Sequence, residues 1–430
     1  MRAYFTLFFL LVQVGLIRAQ LKSGPMLGYT TMMESVVWVQ LEKQDSIRMD
    51  YYPTNNQSKS QSVSSFADRK NGKIVHLVAS QLEPGTTYSF KLYIGGKEVS
   101  EGKFSSLSLW KHRTDPPNFS FAVGSCAYIN EEKYDRPGEP YGRGYEIFES
   151  INQKNADMML WLGDNIYLRE VDWTSRSGIY HRYTEYKSLP ELQGLWKSMP
   201  HYAIWDDHDF GSNDGDRSFV NKEISLEAFK NFWANMDYGV NEKKGITSQF
   251  AFNDIDFFLL DNRFYRTPNE RKTGERYILG DEQVQWLIDA LVNSKASFKM
   301  VAIGGQFLST AEVYENHANY REERKKIIKL IEQEGIKNVV FLSGDRHKTE
   351  LSKMQLDNGN LIYDYTCSPL TSKAYDSNNE GNSLQVEGTH VGTQNFGVLK
   401  LKGKWSERTL TIQTFDKMGQ LIWEENIAQQ

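Results

Sequence analysis

Up to about residue 109, apolar and polar positions alternate in short runs. Residues 35–41, 46–52, 73–78 and 87–94 are rich in β-branched and aromatic side chains and are separated by polar turns, the pattern expected of strands. No window in this region sustains a helical period. The texture changes after Lys111-His112-Arg113-Thr114-Asp115-Pro116-Pro117, a polar, proline-marked connection. From Asn118 onward, strand-like runs at 120–124, 158–162, 202–205, 257–260, 300–303 and 339–342 alternate with helical periods at 142–153, 226–235, 281–292 and 322–333. Such alternation predicts a layered α/β domain, whose ligands collect at the carboxyl ends of the strands.

Within the first region, Leu82-Glu83-Pro84-Gly85-Thr86-Thr87-Tyr88 resembles the turn and tyrosine corner of fibronectin type III domains. The expected organisation is an FN3/Ig-like β-sandwich over 20–110 followed by an α/β domain over 118–430. An irregular β-rich extension of the main domain is the alternative for the first part.

Length and composition agree with a two-domain globular chain. The 430 residues are too many for one ordinary core, 40% are hydrophobic, and there is no low-complexity tract or obvious repeat. Residues 1–19 read as a signal peptide: Arg2 supplies the positive end, an apolar run follows to Ile17, and Ala19 offers a small-residue cleavage site. A retained N-terminal anchor is the alternative. No later run is long and apolar enough to cross a bilayer. The expected location is periplasmic or extracellular. The net charge is −5, and cleavage would also remove Arg2 and Arg18, so electrostatics gives no reason to expect nucleic acid. Nothing implies a protein partner. The two cysteines, Cys126 and Cys367, could pair in an exported protein. Asn56-Gln57-Ser58 and Asn118-Phe119-Ser120 match glycosylation acceptors, which matter only in a eukaryotic secretory pathway.

Four strand ends carry metal-ligand chemistry. The first ends in Gly124-Ser125-Cys126, the second in Gly163-Asp164-Asn165-Ile166-Tyr167, the third in Asp206-Asp207-His208-Asp209, and the fourth in Gly344-Asp345-Arg346-His347. Clustered carboxylates with His, Tyr and Cys are costly to pack unless cations neutralise them. Gly163 and Gly344 would let the chain turn tightly before each ligand.

Gly163-Asp164-x-x-Tyr167, Asp207-His208-Asp209 and Gly344-Asp345-x-His347, in this order, resemble the metallophosphoesterase motif series. With Gly124-Ser125-Cys126 and Trp205-Asp206-Asp207-His208 they resemble the PhoD-type alkaline phosphatase family in particular, over roughly Asn118 to the C-terminus. That resemblance implies two mixed sheets flanked by helices, preceded by a β-sandwich. It implies an exported enzyme that hydrolyses small phosphate esters by attack of a metal-bound hydroxide. Asp164 would bridge two metals. Cys126, Tyr167 and His347 would ligate Fe³⁺, since thiolate and phenolate suit a trivalent ion. Asp207 and Asp345 would hold an oxygen-loving ion, for which the family implies Ca²⁺. His208 would act as general acid at the leaving group. Cys126 stands where many relatives in the wider superfamily have an Asp-x-His pair, and Asp345 where many have His, which puts a dinuclear zinc or manganese site in doubt.

Weaker candidates surround this set. Asp206 would support Asp207, and Asn213 with Asp214 could add a cation ligand or form an ordinary turn. Arg263 could bind substrate phosphate or pair with a buried Asp. Gln306 could reach the metals where relatives use His. The segments 168–195 and 371–392 read as polar, aromatic loops that would recognise the leaving group. Phosphodiesterase or phospholipase-type specificity is one alternative, and a non-catalytic, calcium-dependent surface binding module is another.

Overall fold

The computed structural model describes residues 21–376 and 380–430; the signal-peptide reading falls outside the described residues. The first region holds β1 (Leu21–Thr30), β2 (Ser35–Leu41), β3 (Ser46–Pro53), β4 (Gln61–Phe66), β5 (Ile74–Ala79), β6 (Thr87–Ile94) and β7 (Lys97–Ser105). They form two antiparallel sheets, ordered β1-β2-β5 and β4-β3-β6-β7. The tyrosine corner is present: the Glu83 N–H donates to the Tyr88 hydroxyl at 2.8 Å, tying β6 to the turn before it.

Every residue of β2 is buried. Val37, Val39 and Leu41 enter the core between the two sheets, while Val36 and Trp38 join the core of the following α/β region. A strand buried on both faces reads as a continuous apolar run, as Val36-Val37-Trp38-Val39 does. Polar bonds reinforce this junction. The Trp38 indole N–H donates to the Asn231 carbonyl at 2.8 Å, the Gln40 amide to Thr184 Oγ1 at 2.9 Å, and the Tyr29 N–H to the Ala234 carbonyl at 2.9 Å. A Cβ at Gly28 would lie 2.4 Å from Ala234 Cβ, so only glycine permits this approach.

The second region contains β8 (Phe119–Gly124), α1 (Glu146–Asn152), β9 (Met158–Leu162), α2 (Arg176–Lys187), α3 (Pro190–Ser198), β10 (His201–Ile204), α4 (Asp207–Phe210) and α5 (Lys222–Phe232). There follow β11 (Ser248–Phe252), β12 (Ile255–Leu259), α6 (Asp281–Asn293), β13 (Phe298–Ala302), α7 (Arg321–Gln333) and β14 (Val339–Ser343). The chain closes with β15 (Glu350–Gln355), β16 (Leu361–Thr366), β17 (Asn395–Lys402), β18 (Thr409–Asp416) and β19 (Leu421–Ala428). Two six-stranded mixed sheets result, ordered β10-β9-β8-β17-β18-β19 and β11-β12-β13-β14-β16-β15. Within them β8, β9 and β10 run parallel, as do β12, β13, β14 and β16. Phe121 of the first sheet meets Phe257 of the second edge-on at 5.2 Å, inside a core they share. The outer face of the second sheet packs under α6 and α7. In α6 the acidic Asp281 and Glu282 occupy the first turn, and Val284, Leu287, Ile288 and Leu291 form one buried stripe.

One expectation is corrected. Residues 168–195, read as a loop, include all of α2 and the start of α3. The buried residues of α2 include Arg182 and Lys187 beside Ile179, Tyr183 and Tyr186, so charge on the buried face erases the apolar periodicity that identifies a helix.

Candidate metal centre

The four sequence motifs converge at the carboxyl ends of parallel strands. Cys126 follows β8, Asp164 follows β9, Asp206-Asp207-His208 follows β10 and opens α4, and Asp345-Arg346-His347 follows β14. The backbone turns abruptly there. Cys126 (φ 59°), Asp164 (φ 51°), Asp345 (φ 66°) and His347 (φ 50°) all occupy the left-handed region, which costs a non-glycine residue on the order of 1–3 kcal/mol and persists where the surroundings enforce it. Gly163 (φ 89°) makes one turn possible: a Cβ there would lie 2.8 Å from Asp206 Cβ and 2.9 Å from its nitrogen.

The side chains form overlapping groups of donors. Cys126, Asp164 and His347 bring one ligand atom each to within 4.8 Å of one another. The same spacing holds for Asp164, Asp207 and His208, for Asp206, Asp207 and Asp345, and for Asp207, Asp214 and Glu315. Asp164 therefore joins the sulfur- and nitrogen-containing group to the carboxylate-rich one. The Tyr167 hydroxyl lies 3.3 Å from Asp164 Oδ2 and 3.1 Å from His347 Nε2, and Cys126 Sγ lies 3.6 Å from Asp164 Oδ2. Supporting contacts orient these donors. His347 Nδ1 stands 2.6 Å from the Lys373 carbonyl, which only an N–H can satisfy, so the Nε2 lone pair faces the cluster. Ser368 Oγ donates to Cys126 Sγ at 3.0 Å, and the Asp214 N–H donates to Asp207 Oδ2 at 2.8 Å.

Electrostatically the cluster calls for cations. Asp164, Asp206 and Asp207 are buried, yet Asp206 Oδ2, Asp207 Oδ1 and Asp345 Oδ2 have no hydrogen-bond partner. Buried carboxylate oxygens without partners are rare and expensive. Burial, then the charges of Asp207 and Cys126, pushes the Asp164 carboxyl well above its usual range. Burial and the neighbouring Asp206 do the same to Asp345, against the pull of Arg346. Burial likewise raises the Cys126 thiol and, together with Asp164, the Tyr167 phenol. Asp207 departs in the opposite direction: its burial is outweighed by His208, Arg263 and the Asp214 N–H, which hold it below the usual range. Such a set suits positive ions, and thiolate, phenolate, imidazole and carboxylate are ligand types that metals take.

His208 lies between this cluster and a cavity of about 650 Å³ that also exposes Tyr167 and Asn213. Its Nε2 is 4.0 Å from Asp207 Oδ2, its backbone N–H donates to Asp164 Oδ1 at 3.2 Å, and its ring packs 4.2 Å from that of Tyr167. Burial lowers the imidazole pKa, partly offset by Asp207.

The weaker candidates divide. Asp206 accepts from Asn262 at 2.7 Å and pairs with Arg263, and burial lifts it to about 6. Arg263 is fully buried, paired with Asp206 and, at 2.6 Å, with Glu315; it takes the buried-pair role. Gln306 is saturated by protein: its amide donates to Glu350 at 2.7 Å and Thr366 at 2.9 Å, and its oxygen accepts from Asn316. Both cysteines are free and buried. Sequence reasoning missed Glu315 and Ser368. Ser368 follows β16, another parallel strand, so its position was a usable signal; Glu315 sits in an irregular segment and carried none.

The family model described as PhoD-like phosphatase matches residues 121–411. The chain belongs to that family. Among curated proteins it is similar to alkaline phosphatase D of Bacillus subtilis (strain 168), at 24% identity over 333 residues, 66% of this chain and 54% of the relative. The chain thus spans about half the length of that relative. Among solved structures it resembles one described as the structure of PhoD, with a TM-score of 0.77 at 17% identity, over 96% of this chain and 93% of the other. It also resembles the purple acid phosphatase PPD1 of yellow lupin (Lupinus luteus) seeds, with a TM-score of 0.68 at 13% identity, over 94% of this chain and 74% of that one. These likenesses establish the fold, a β-sandwich followed by the layered phosphatase architecture. No helix among the described residues is long and apolar enough to cross a membrane.

Proposed function

We propose that this PhoD-like chain is an exported, metal-dependent phosphoesterase that hydrolyses phosphate esters. The observation that carries the reading is the buried, under-bonded carboxylate cluster, with His208 belonging both to it and to the lining of a cavity. Cys126, Tyr167 and His347, with Asp164, would hold Fe³⁺; Asp207 and Asp345, with Asp164 between the sites, would hold Ca²⁺. Ions bound there would lower the pKa of a coordinated water and offset the charge that builds on the phosphoryl oxygens.

The chain's own residues supply the rest. The Lys373 carbonyl keeps the proton on Nδ1 of His347, so that ring presents a lone pair to the cluster. Arg263 and the Asp214 N–H hold Asp207 in its anionic form. His208, on the cavity side, would present a ring N–H to the departing ester oxygen. The arginines lining the cavity are already engaged: Arg136 pairs with Glu170 at 2.9 Å, and Arg169 with Asp135 at 2.7 Å. The phosphate charge is therefore left to the cluster and its ions.

The test compares wild type with Asp164→Asn on a chromogenic phosphomonoester and the matching diester at alkaline pH with added Ca²⁺. Wild type is expected to hydrolyse at least one ester, and the variant, still folded by circular dichroism, to hydrolyse neither. A variant that retains most of the wild-type turnover overturns the bridging role of Asp164.

A further inference from the structure

The cavity above the cluster is far larger than a phosphate group requires. Its volume of about 650 Å³ falls within the range of pockets that enclose whole organic ligands, roughly 300–1,000 Å³. The chemistry of its wall is uneven. Tyr128, Tyr141, Trp173 and Tyr375 line it with Pro137 and Leu168. Arg136 and Glu139, 84% and 89% exposed, stand at the outer rim, while the paired Arg169 and Asp135 lie within the wall, buried and half-buried.

Tyr375, Tyr141 and Tyr128 run as one surface from the cluster outward. The Tyr375 ring stacks on His347 at 5.4 Å, Tyr141 lies 5.9 Å from His347 and 6.3 Å from Tyr167, and Tyr128 meets Tyr141 edge-on at 4.9 Å. Around Tyr128 the hydrogen-bonding capacity of this wall is consumed internally. The Tyr128 hydroxyl donates to Asp135 at 2.9 Å, and Asp135 also accepts from Arg169 and from the Glu131 N–H. The Arg169 guanidinium lies over the Tyr128 ring, 3.9 Å from its centroid, and donates to the Ile129 carbonyl and to Asp135, which holds the ring in place. A sugar or polyol would need free donors and acceptors, which Tyr128, Asp135 and Arg169 do not offer. A flat apolar ring needs only ring faces and exclusion of water.

We propose that this cavity is a leaving-group subsite for phosphate esters whose alcohol carries an aromatic or similarly flat ring, with Trp173 and Tyr141 as its specificity-determining residues. The proposal rests on the phosphoesterase reading and adds the class of ester preferred. Position supports the assignment: the same cavity exposes His208, the group placed to protonate the departing oxygen, so the alcohol side of the ester enters the aromatic part.

Two non-hydrolysable compounds that differ only in the ring provide the test. Methylphosphonate and phenylphosphonate are titrated calorimetrically into the protein as purified, with its metals. Phenylphosphonate is expected to bind about tenfold or more tightly. Trp173→Ala and Tyr141→Ala should each remove most of that preference. Trp173→Ala should leave methylphosphonate affinity unchanged, which also shows that the variant is folded, and Trp173→Phe should retain most of the preference. Equal affinities for the two compounds in wild type overturn the ring subsite while leaving the phosphate-binding centre intact. A preference that survives both alanine variants overturns the assignment of Trp173 and Tyr141. If methylphosphonate itself fails to bind, the phosphoesterase reading falls and this proposal with it.

Discussion

Lys187 is a buried lysine away from the centre. It ends α2 fully buried, with its amine 3.2 Å from the centroid of Trp233, 4.2 Å from that of Trp196 and 3.2 Å from Met26 Sδ. A desolvated cation over an indole face gains about 2 kcal/mol, whereas removing an ammonium from water costs several. Burial wins and pushes the amine well below its usual range, only partly countered by Asp209. The folded state then binds fewer protons than the unfolded chain, whose lysines titrate near pH 10.4, and the group opposes folding increasingly as pH falls from there. Lys187→Met keeps the stem and removes the amine. It is expected to raise Tm by about 2 °C or more at pH 7, with the gain shrinking toward pH 10, as scanning calorimetry at both pH values would show. A lower Tm at pH 7 would mean that the indoles hold a charged amine. Legibility at this scale followed local chemistry. Cys126, Asp164, Asp207 and His347 were readable because each follows an apolar strand run. Glu315 and the burial of Lys187 were not, because they depend on segments distant in sequence meeting.

Among the elements, α6 and α7 were legible from apolar periodicity, and their connection was not. Glu323, in the first turn of α7, is buried and accepts from the Ile278 and Gly280 N–H groups at 2.8 Å, from the Leu279 N–H at 3.1 Å and from His317 Nε2 at 2.9 Å. One carboxylate thus satisfies the backbone leading into α6 and anchors α7 to it. Burial raises its pKa, but His317 and the backbone donors outweigh burial and hold it below the usual range. The stabilisation it gives is complete above the unfolded-state value of about 4.3 and is lost as pH falls through the depressed folded value. Glu323→Gln is expected to cost about 1–3 kcal/mol at pH 7, since an amide cannot accept all these bonds. Its urea midpoint should also fall less than that of wild type between pH 5 and pH 3. Equal losses in both proteins would remove Glu323 from the acid response. The β1-β2-β5 sheet shows the complementary limit of sequence reading. β2 and β5 were legible but β1 was not, and neither was their shared core with the α/β region, because an apolar run does not say which partner covers each face. Trp38→Ala is expected to cost about 3–5 kcal/mol and to loosen the core that β2 shares with the α/β region.

At the scale of the whole molecule, the centre and the shared core predict how the protein unfolds. Asp164 and Asp207 follow strands of one sheet and Asp345 follows a strand of the other, so ions among them would tie the two sheets together. Without ions, burial raises Asp345, and the charges of Asp206 and Asp207 add to this from across that junction. Ions that bind only the folded chain stabilise it by about 2.7 kcal/mol at a hundredfold excess over Kd. Stripping metals with a chelator should therefore lower Tm by several degrees, and Ca²⁺ should restore part of the loss. Because Val36 and Trp38 of the first region share one core with Phe121 and Phe257 of the second, the β-sandwich should not melt alone. A single calorimetric transition should move as a unit when metal is removed. An unchanged Tm after verified removal would mean that the carboxylate cluster is not a metal centre. Two transitions, with only the later one sensitive to metal, would mean that the first region is an independent domain and that the shared face of β2 contributes little to cooperativity.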